Sequence, residues 1–208
     1  MSLIIDALIT FCDVTTIGLC GFNKVPQIIK LAKEKSVKGL SLASILLELT
    51  SYSIMFSYNV YSAYALTTYF EYPLLIVQDV VMLTLFLALS GRLSPVEILP
   101  VAALPCFAYS IASGTLPNSL IKTLVGMCTP ISASSKVVAL LAIIRSKNSE
   151  SVSIPTWCIS SYTSITRLFT IYVESADPAL LMNFGTSFVL NTLIIIVAII
   201  YKPRKKVD

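Results

Sequence analysis

The chain has 208 residues, 56% hydrophobic and only 12% charged, with a net charge of +4 and a mean hydropathy of +0.84. A soluble domain covers its surface with about 25% charged residues, so a water-soluble globule is excluded, and so is intrinsic disorder. The absence of histidine removes imidazole acid–base catalysis, histidine metal ligands and a simple histidine pH switch.

Read with a window of about 20 residues, the length that crosses a bilayer core, the chain shows seven apolar stretches. They run roughly over 4–30, 41–64, 70–90, 95–114, 118–144, 153–173 and 178–201, with little chain between them. The first does not read as a signal peptide: it opens with Asp6 rather than basic residues and contains Asp13 and Lys24. Pro73, Pro95, Pro117, Pro155 and Pro178 mark first turns, where a missing N–H costs nothing. Tyr52, Tyr58, Tyr61, Tyr64, Tyr69 and Tyr72, crowded near the junction of the second and third stretches, are expected to form an interfacial aromatic belt. The five cysteines (12, 20, 106, 128 and 158) show no CxxC spacing. They indicate neither a zinc site nor a disulfide framework, and no metal or cofactor is expected.

Basic residues set the orientation. Lys30, Lys33, Lys35, Lys38, Arg92, Arg145, Lys147, Lys202, Arg204, Lys205 and Lys206 fall on one side of seven spans, and only Lys122 falls on the other. The positive-inside rule therefore predicts a lumenal N-terminus and a cytosolic C-terminus.

Residues 24–42 (KVPQIIKLAKEKSVKGLSL) and 136–154 (KVVALLAIIRSKNSESVSI) align without a gap at an offset of 112. Lys24/Lys136, Val25/Val137, Lys35/Lys147 and Ser41/Ser153 are identical, and Ile28/Leu140, Lys33/Arg145 and Leu40/Val152 are close exchanges. Apolar sequences match easily by chance, but a lysine inside a spanning helix does not. Three helices cross a membrane an odd number of times, so one linker helix is needed for both copies to run in the same direction. The predicted fold is an all-α integral membrane protein of seven transmembrane helices, two parallel three-helix repeats joined by a linker helix (3+1+3). The divisions are 1–90, 91–115 and 116–202, with a cytosolic basic tail at 203–208.

With the repeat and the pair Pro26-Gln27 in view, the chain resembles the PQ-loop repeat family. The segments that carry the likeness are KVPQI at 24–28, KGLSLASILLEL at 38–49, FEYPLLIVQD at 70–79, SASSK at 132–136 and SSYTSITR at 160–167. That family includes sugar uniporters of the SWEET type, lysosomal amino-acid exporters, and solute carrier 66 proteins related to the mannose-phosphate-dolichol utilization defect protein; the likeness is strongest to these last. The resemblance implies that the first and third helices of each half pack together. It also implies that the Pro-Gln pair lies near the cytosolic end of the first helix of each half. The second repeat departs from the pattern, with Val138-Ala139 where that pair would stand.

Charge at mid-bilayer costs at least roughly 2.5–3.5 kcal/mol on insertion scales, so the ionisable residues inside spans are the candidates for function. They are Asp13, Lys24, Glu48, Asp79, Lys136 and Arg167, three acids and three bases, and the offset of 112 adds Asn191 as the partner of Asp79. By depth, Asp13, Asp79 and Arg167 fall toward the lumenal ends, and Lys24, Lys136 and Glu48 toward the cytosolic ends. Two readings stand: a polar cavity between the halves that binds a solute head group, or ion pairs that lock helices together, with the lysines snorkelling to the surface. Pro26 interrupts helix hydrogen bonding and is a candidate hinge, with Gln27 beside it to bond the freed carbonyl or a substrate; Pro130 is the candidate kink of the second half. Lys205 and Lys206 resemble a di-lysine signal for retrieval to the endoplasmic reticulum.

No nucleophile–base pair, metal site or phosphate loop is readable, so an enzyme is not expected. The basic residues follow membrane topology, so nucleic acid is not a partner. The expected partners are membrane lipid and an unidentified small solute or lipid-linked sugar, with a homo-oligomer left open. The expected function is small-solute transport; the alternative is a non-transporting helper in the use or flipping of dolichol-linked sugars. The endoplasmic reticulum is favoured as location, with the lysosome as the alternative.

Overall fold

The structure is a computed structural model and describes residues 3–35, 37, 42–91, 95–147, 149 and 154–202. Lys38, Arg92, Arg204, Lys205 and Lys206 lie outside the described residues. Within them all regular structure is helical: α1 (Leu3–Gly21), α2 (Val25–Glu34), α3 (Leu42–Tyr61), a short 3-10 turn at Leu66–Thr68, α4 (Glu71–Ser90), α5 (Pro95–Ala112), α6 (Asn118–Ser146), α7 (Ile154–Glu174) and α8 (Pro178–Ile200). Six of the seven apolar stretches become one helix each, and the first becomes two. By length and composition, Leu3–Lys33, Glu71–Ser90, Asn118–Arg145 and Pro178–Ile200 are sufficient to cross a membrane. α3 and α7 bury serines and threonines, among them Ser53, Ser57, Ser164, Thr166 and Thr170.

The chain forms two compact units, one of Val14–Cys128 and one of Met1–Asp13 with Thr129–Asp208. In the first, α3 packs against α4 and α5, and α2 lies on α4. Leu31, Ile45, Leu49, Met82, Leu83, Phe86 and Leu87 form its core. The buried face of α4 recurs every three or four residues, through Leu75, Gln78, Asp79, Met82, Leu83 and Phe86. Its opposite face exposes Val77 (62%), Val80 and Val81. Charge inside and valine outside is the pattern of a helix whose outer solvent is hydrocarbon. In the second unit α7 packs along α8, and Ile143, Ile194 and Ala198 are its buried centre.

Local chemistry sets the ends. Asp177 caps α8 by accepting from the amides of Ala179 (2.8 Å) and Leu180 (3.2 Å), and Pro178 occupies the first turn. Lys35 and Lys147, equivalent at the offset of 112, both adopt a left-handed conformation after their helices, at φ 48° and 50°. The tyrosine cluster differs from an interfacial belt. Tyr58, Tyr69 and Tyr72 are buried, and the rings pair as Tyr52–Tyr72, Phe56–Tyr69 and Tyr58–Tyr64. Ring packing between α3 and α4 outweighs exposure at the headgroups because each aromatic removes a large apolar area from the solvent.

The end of α5 supplies a test of packing. Gly114 has φ +69°, and a Cβ built there meets Tyr61 Cε2 at 3.0 Å. Gly114→Ala should therefore lower stability by about 1–2 kcal/mol from backbone handedness alone, read as a drop in melting temperature of the purified protein in detergent; an unchanged melt would refute this account of the turn.

Candidate functional site

The first span does not kink at Pro26; it breaks before it. After Gly21 the amides of Phe22 and Asn23 bond back to the carbonyls of Leu19 and Cys20, both at 3.2 Å, which tightens the last turn of α1. Helix resumes at Val25, with Pro26 in the first turn of α2. The physical reason is the ring itself. Inside a continuous helix it would clash with the carbonyl four residues earlier and delete a hydrogen bond, whereas in a first turn it does neither. Pro26 is therefore the start of a second helix rather than a hinge within one. Gln27 is exposed there and does not bond the freed carbonyl.

The break is instead spanned by Gln78, which sequence reasoning passed over. From α4 its Oε1 accepts the Lys24 amide (2.8 Å). Its Nε2 donates to the Cys20 carbonyl (3.0 Å) and to the Leu74 carbonyl of its own helix (3.1 Å). A carboxamide, with an acceptor and two donors, takes the Lys24 N–H and adds a second donor to a Cys20 carbonyl that already accepts from the Asn23 amide. The available signal was a glutamine beside Asp79 in an otherwise apolar run; a search restricted to charges missed it.

The Lys24 side chain is bound by the next residue of α4. Its ammonium donates to Asp79 Oδ1 and to Glu48 Oε2 of α3, and lies 5.3 Å from the centre of the Tyr52 ring. Lys24 is buried rather than snorkelling; Asp79 is 0% exposed, and the Glu48 side chain is 43% exposed. The second oxygen of Asp79, Oδ2, is buried without a hydrogen-bond partner among the described residues. The cluster thus sets two carboxylates on one ammonium, with a spare acceptor on the deeper acid. The depth ordering drawn from sequence, which put Asp79 with Arg167, gives way here. The Lys24 backbone amide bonds Gln78, the residue beside Asp79 on α4, so the break in the first span brings Lys24 to Asp79.

Arg167 takes a different partner. Its Nη1 donates to Asp13 Oδ1 at 2.6 Å, and both side chains are almost fully enclosed. This ion pair joins the first helix of the sequence to α7.

The second repeat is built otherwise. Lys136 is half-buried on an unbroken α6 and donates to the Ser132 hydroxyl (2.7 Å) and carbonyl (3.3 Å). Asn191 is buried, with its amide 3.4 Å from the Ser164 hydroxyl. At the offset of 112 the positions of Glu48, Gln78 and Asp79 are held by Ser160, Leu190 and Asn191, none of them charged. Pro130 lies inside α6, and the helix continues through it. Among the described residues no three of Cys, Asp and Glu come together as a metal site.

The Asp13–Arg167 pair yields a prediction. Arg167→Met should leave Asp13 buried and unpaired, at a cost of about 3–5 kcal/mol, and adding Asp13→Leu should recover most of it. Unfolding in detergent measures both variants; a harmless single substitution would show that the pair does not bear on stability.

Residues 8–68 match the model of the PQ loop repeat. The chain is 34% identical over 199 residues to human solute carrier family 66 member 3, covering 94% of this chain and 95% of that one. Its fold is similar to that of a eukaryotic SWEET transporter, with a TM-score of 0.75 at 12% identity over 95% of this chain and 98% of the other. With its polar groups turned inward, its apolar faces turned outward and a relative matched over almost its whole length, the chain is a multi-pass membrane protein that belongs to the PQ-loop repeat family, within solute carrier family 66.

Proposed function

We propose that the protein is a small-solute transporter with seven spans in a 3+1+3 arrangement, repeats at 1–90 and 116–202 and a linker at 91–115. Its N-terminus is lumenal and its C-terminus cytosolic. The observation that carries the reading is the Lys24–Glu48–Asp79 cluster beside an interrupted helix, with Lys24 and Asp79 buried and Glu48 partly exposed. A membrane protein that needed only to neutralise Lys24 would place one acid there. This one places two and leaves an acceptor of the deeper acid unoccupied. Asp79, Lys24 and Glu48 are assigned to the solute path, with Lys136 and Asn191 as their counterparts in the second repeat; Asp13 and Arg167 act as a structural tie. The relative's name and the SWEET-like fold support transport over catalysis.

The helper reading, in which the protein aids the use or flipping of dolichol-linked sugars, is favoured by one feature. The second repeat has neither the Pro-Gln pair nor the break, so two equivalent joints do not exist in this chain. Thermal-shift measurement on the purified protein against sugars, amino acids and dolichol-phosphate sugars, followed by uptake of the stabilising solute into liposomes, separates the two. Binding of a dolichol-phosphate sugar without uptake would overturn the transporter reading.

Asp79→Asn tests the assignment of the site. Because Glu48 still holds Lys24, the variant should fold with a near-unchanged melting temperature. It should bind the stabilising solute about tenfold or more weakly, as expected for loss of one charge-assisted hydrogen bond. A collapsed melt that is restored by also neutralising Lys24 would identify the cluster as structural.

We further place the protein in the endoplasmic reticulum, supported by the basic run around Lys205 and Lys206. In cells, a chain tagged at both ends should show a lumenal N-terminal tag and a cytosolic C-terminal one, and Lys205→Ser with Lys206→Ser should move it to later compartments. Unchanged location would remove the retrieval signal, and a cytosolic N-terminal tag would remove the seven-span reading.

A further inference from the structure

We propose that Ser149 assembles a binding site for an anionic phospholipid headgroup where α6 and α8 end. Ser149 lies in the connection between α6 and α7, is 4% exposed, and is fastened twice to the end of α8. Its hydroxyl donates to the Ala198 carbonyl at 2.7 Å, and its amide donates to the Tyr201 carbonyl at 3.3 Å. Carbonyls at a helix end have no donor one turn ahead. Here one serine, 49 residues before Ala198, supplies two.

The fastening has an electrostatic consequence. It brings the end of α6, with Arg145 in its last turn and Lys147 just after it, beside the end of α8, where Lys202 follows Tyr201. All three cations are exposed, and among the described residues none of them forms an ion pair. Over 145–150 and 202–208 the sequence carries six cations against two acids. Cations complement a helix C-terminus, but each C-terminus is worth only about half a negative charge, so two of them leave positive charge over. Residues that close spanning helices stand at headgroup depth. In the orientation proposed above this is the cytosolic leaflet, which holds anionic lipids. A phosphomonoester headgroup can accept charge-assisted hydrogen bonds from cations on both segments at once.

The first repeat seats the same connection differently. At the offset of 112 Ser149 becomes Val37, which packs on the apolar cluster that includes Phe86, the counterpart of Ala198. Lys202 becomes Ser90, and Glu34 stands between Lys33 and Lys35 where Ser146 stands between Arg145 and Lys147. The first half therefore has an acid where the second has none, and no cation where Lys202 stands. Seating the connection does not require a hydroxyl; the polar seat occurs in the half whose two basic segments it joins. Ser149 is accordingly the positioning residue of the site, and Arg145, Lys147 and Lys202 are its contacts.

Titration of the purified full-length protein, in uncharged detergent, with short-chain phosphatidylinositol phosphate tests the site by native mass spectrometry. Short-chain phosphatidylcholine should not bind over the same range. Lys147→Ser and Lys202→Ser should each weaken binding about fivefold. Ser149→Ala removes no charge, yet it should weaken binding about threefold or more, the order expected when a hydrogen bond no longer holds the segments together. Ser149→Thr keeps the hydroxyl and should bind like the wild type. The Lys147 and Lys202 substitutions combined should lose less than the product of their single losses, because one headgroup is shared; this cycle carries the test if the alanine variant fails to fold. Lysine effects that multiply independently, with no effect of Ser149→Ala, overturn the site, because they describe a diffuse basic surface. Equal affinity for soluble inositol phosphate overturns the lipid as occupant. None of these measurements involves a transported solute, so their outcome is separate from that of the transporter reading.

Discussion

Inside a bilayer core no water is available to satisfy an exposed peptide group, so every N–H and C=O must find a partner within the protein. Most of this chain meets that demand with uninterrupted helix. The one described span that breaks, between Gly21 and Val25, meets it partly with the tight turn in which the Phe22 and Asn23 amides bond back to Leu19 and Cys20, and partly with the side chain of Gln78. Much of the first unit's polar architecture follows. The break puts the Lys24 amide against α4, and α4 then has to present a glutamine there and an acid at the next position for the ammonium. Glu48 and Tyr52 from α3 complete the enclosure.

The buried charges divide into two kinds of arrangement with different consequences. Asp13 and Arg167 set one acid against one base in a buried pair, whose removal in part is costlier than its presence is beneficial. Lys24 instead sits between two carboxylates, one deep and one with access to the outside of the unit. An excess of acid around a single base is an expensive way to hold two helices together, and the proposed solute path rests on it. At the offset of 112 the positions of both acids are uncharged and the lysine recurs as Lys136, which leans on a hydroxyl and carbonyl of its own helix. In the proposed two-repeat reading, Lys35 and Lys147 also correspond, and both are left-handed. Fold similarity at 12% identity concerns the fold alone and says nothing about the solute.

The sequence by itself determined the membrane class, the positions of the apolar segments and the family. These depend on features that accumulate along the chain: twenty-residue apolar runs, prolines in first turns, the offset of 112 and the segments around Pro26-Gln27. It also singled out the ionisable residues that matter, because a charge in an apolar run is conspicuous. What it left undecided was partnership. Asp79 could have faced Lys24, Arg167 or a cavity, and depth counted along straight helices grouped it with the wrong base. Only the tertiary structure paired it with Lys24, placed Pro26 after a break instead of within a kink, and showed Gln78 as the residue that closes the gap. The reason is that a hydrogen bond is a few-ångström condition between side chains fifty or more residues apart, set by which faces of α1, α3 and α4 meet, and no periodicity along one helix encodes which neutral side chain on another will stand opposite its missing turn.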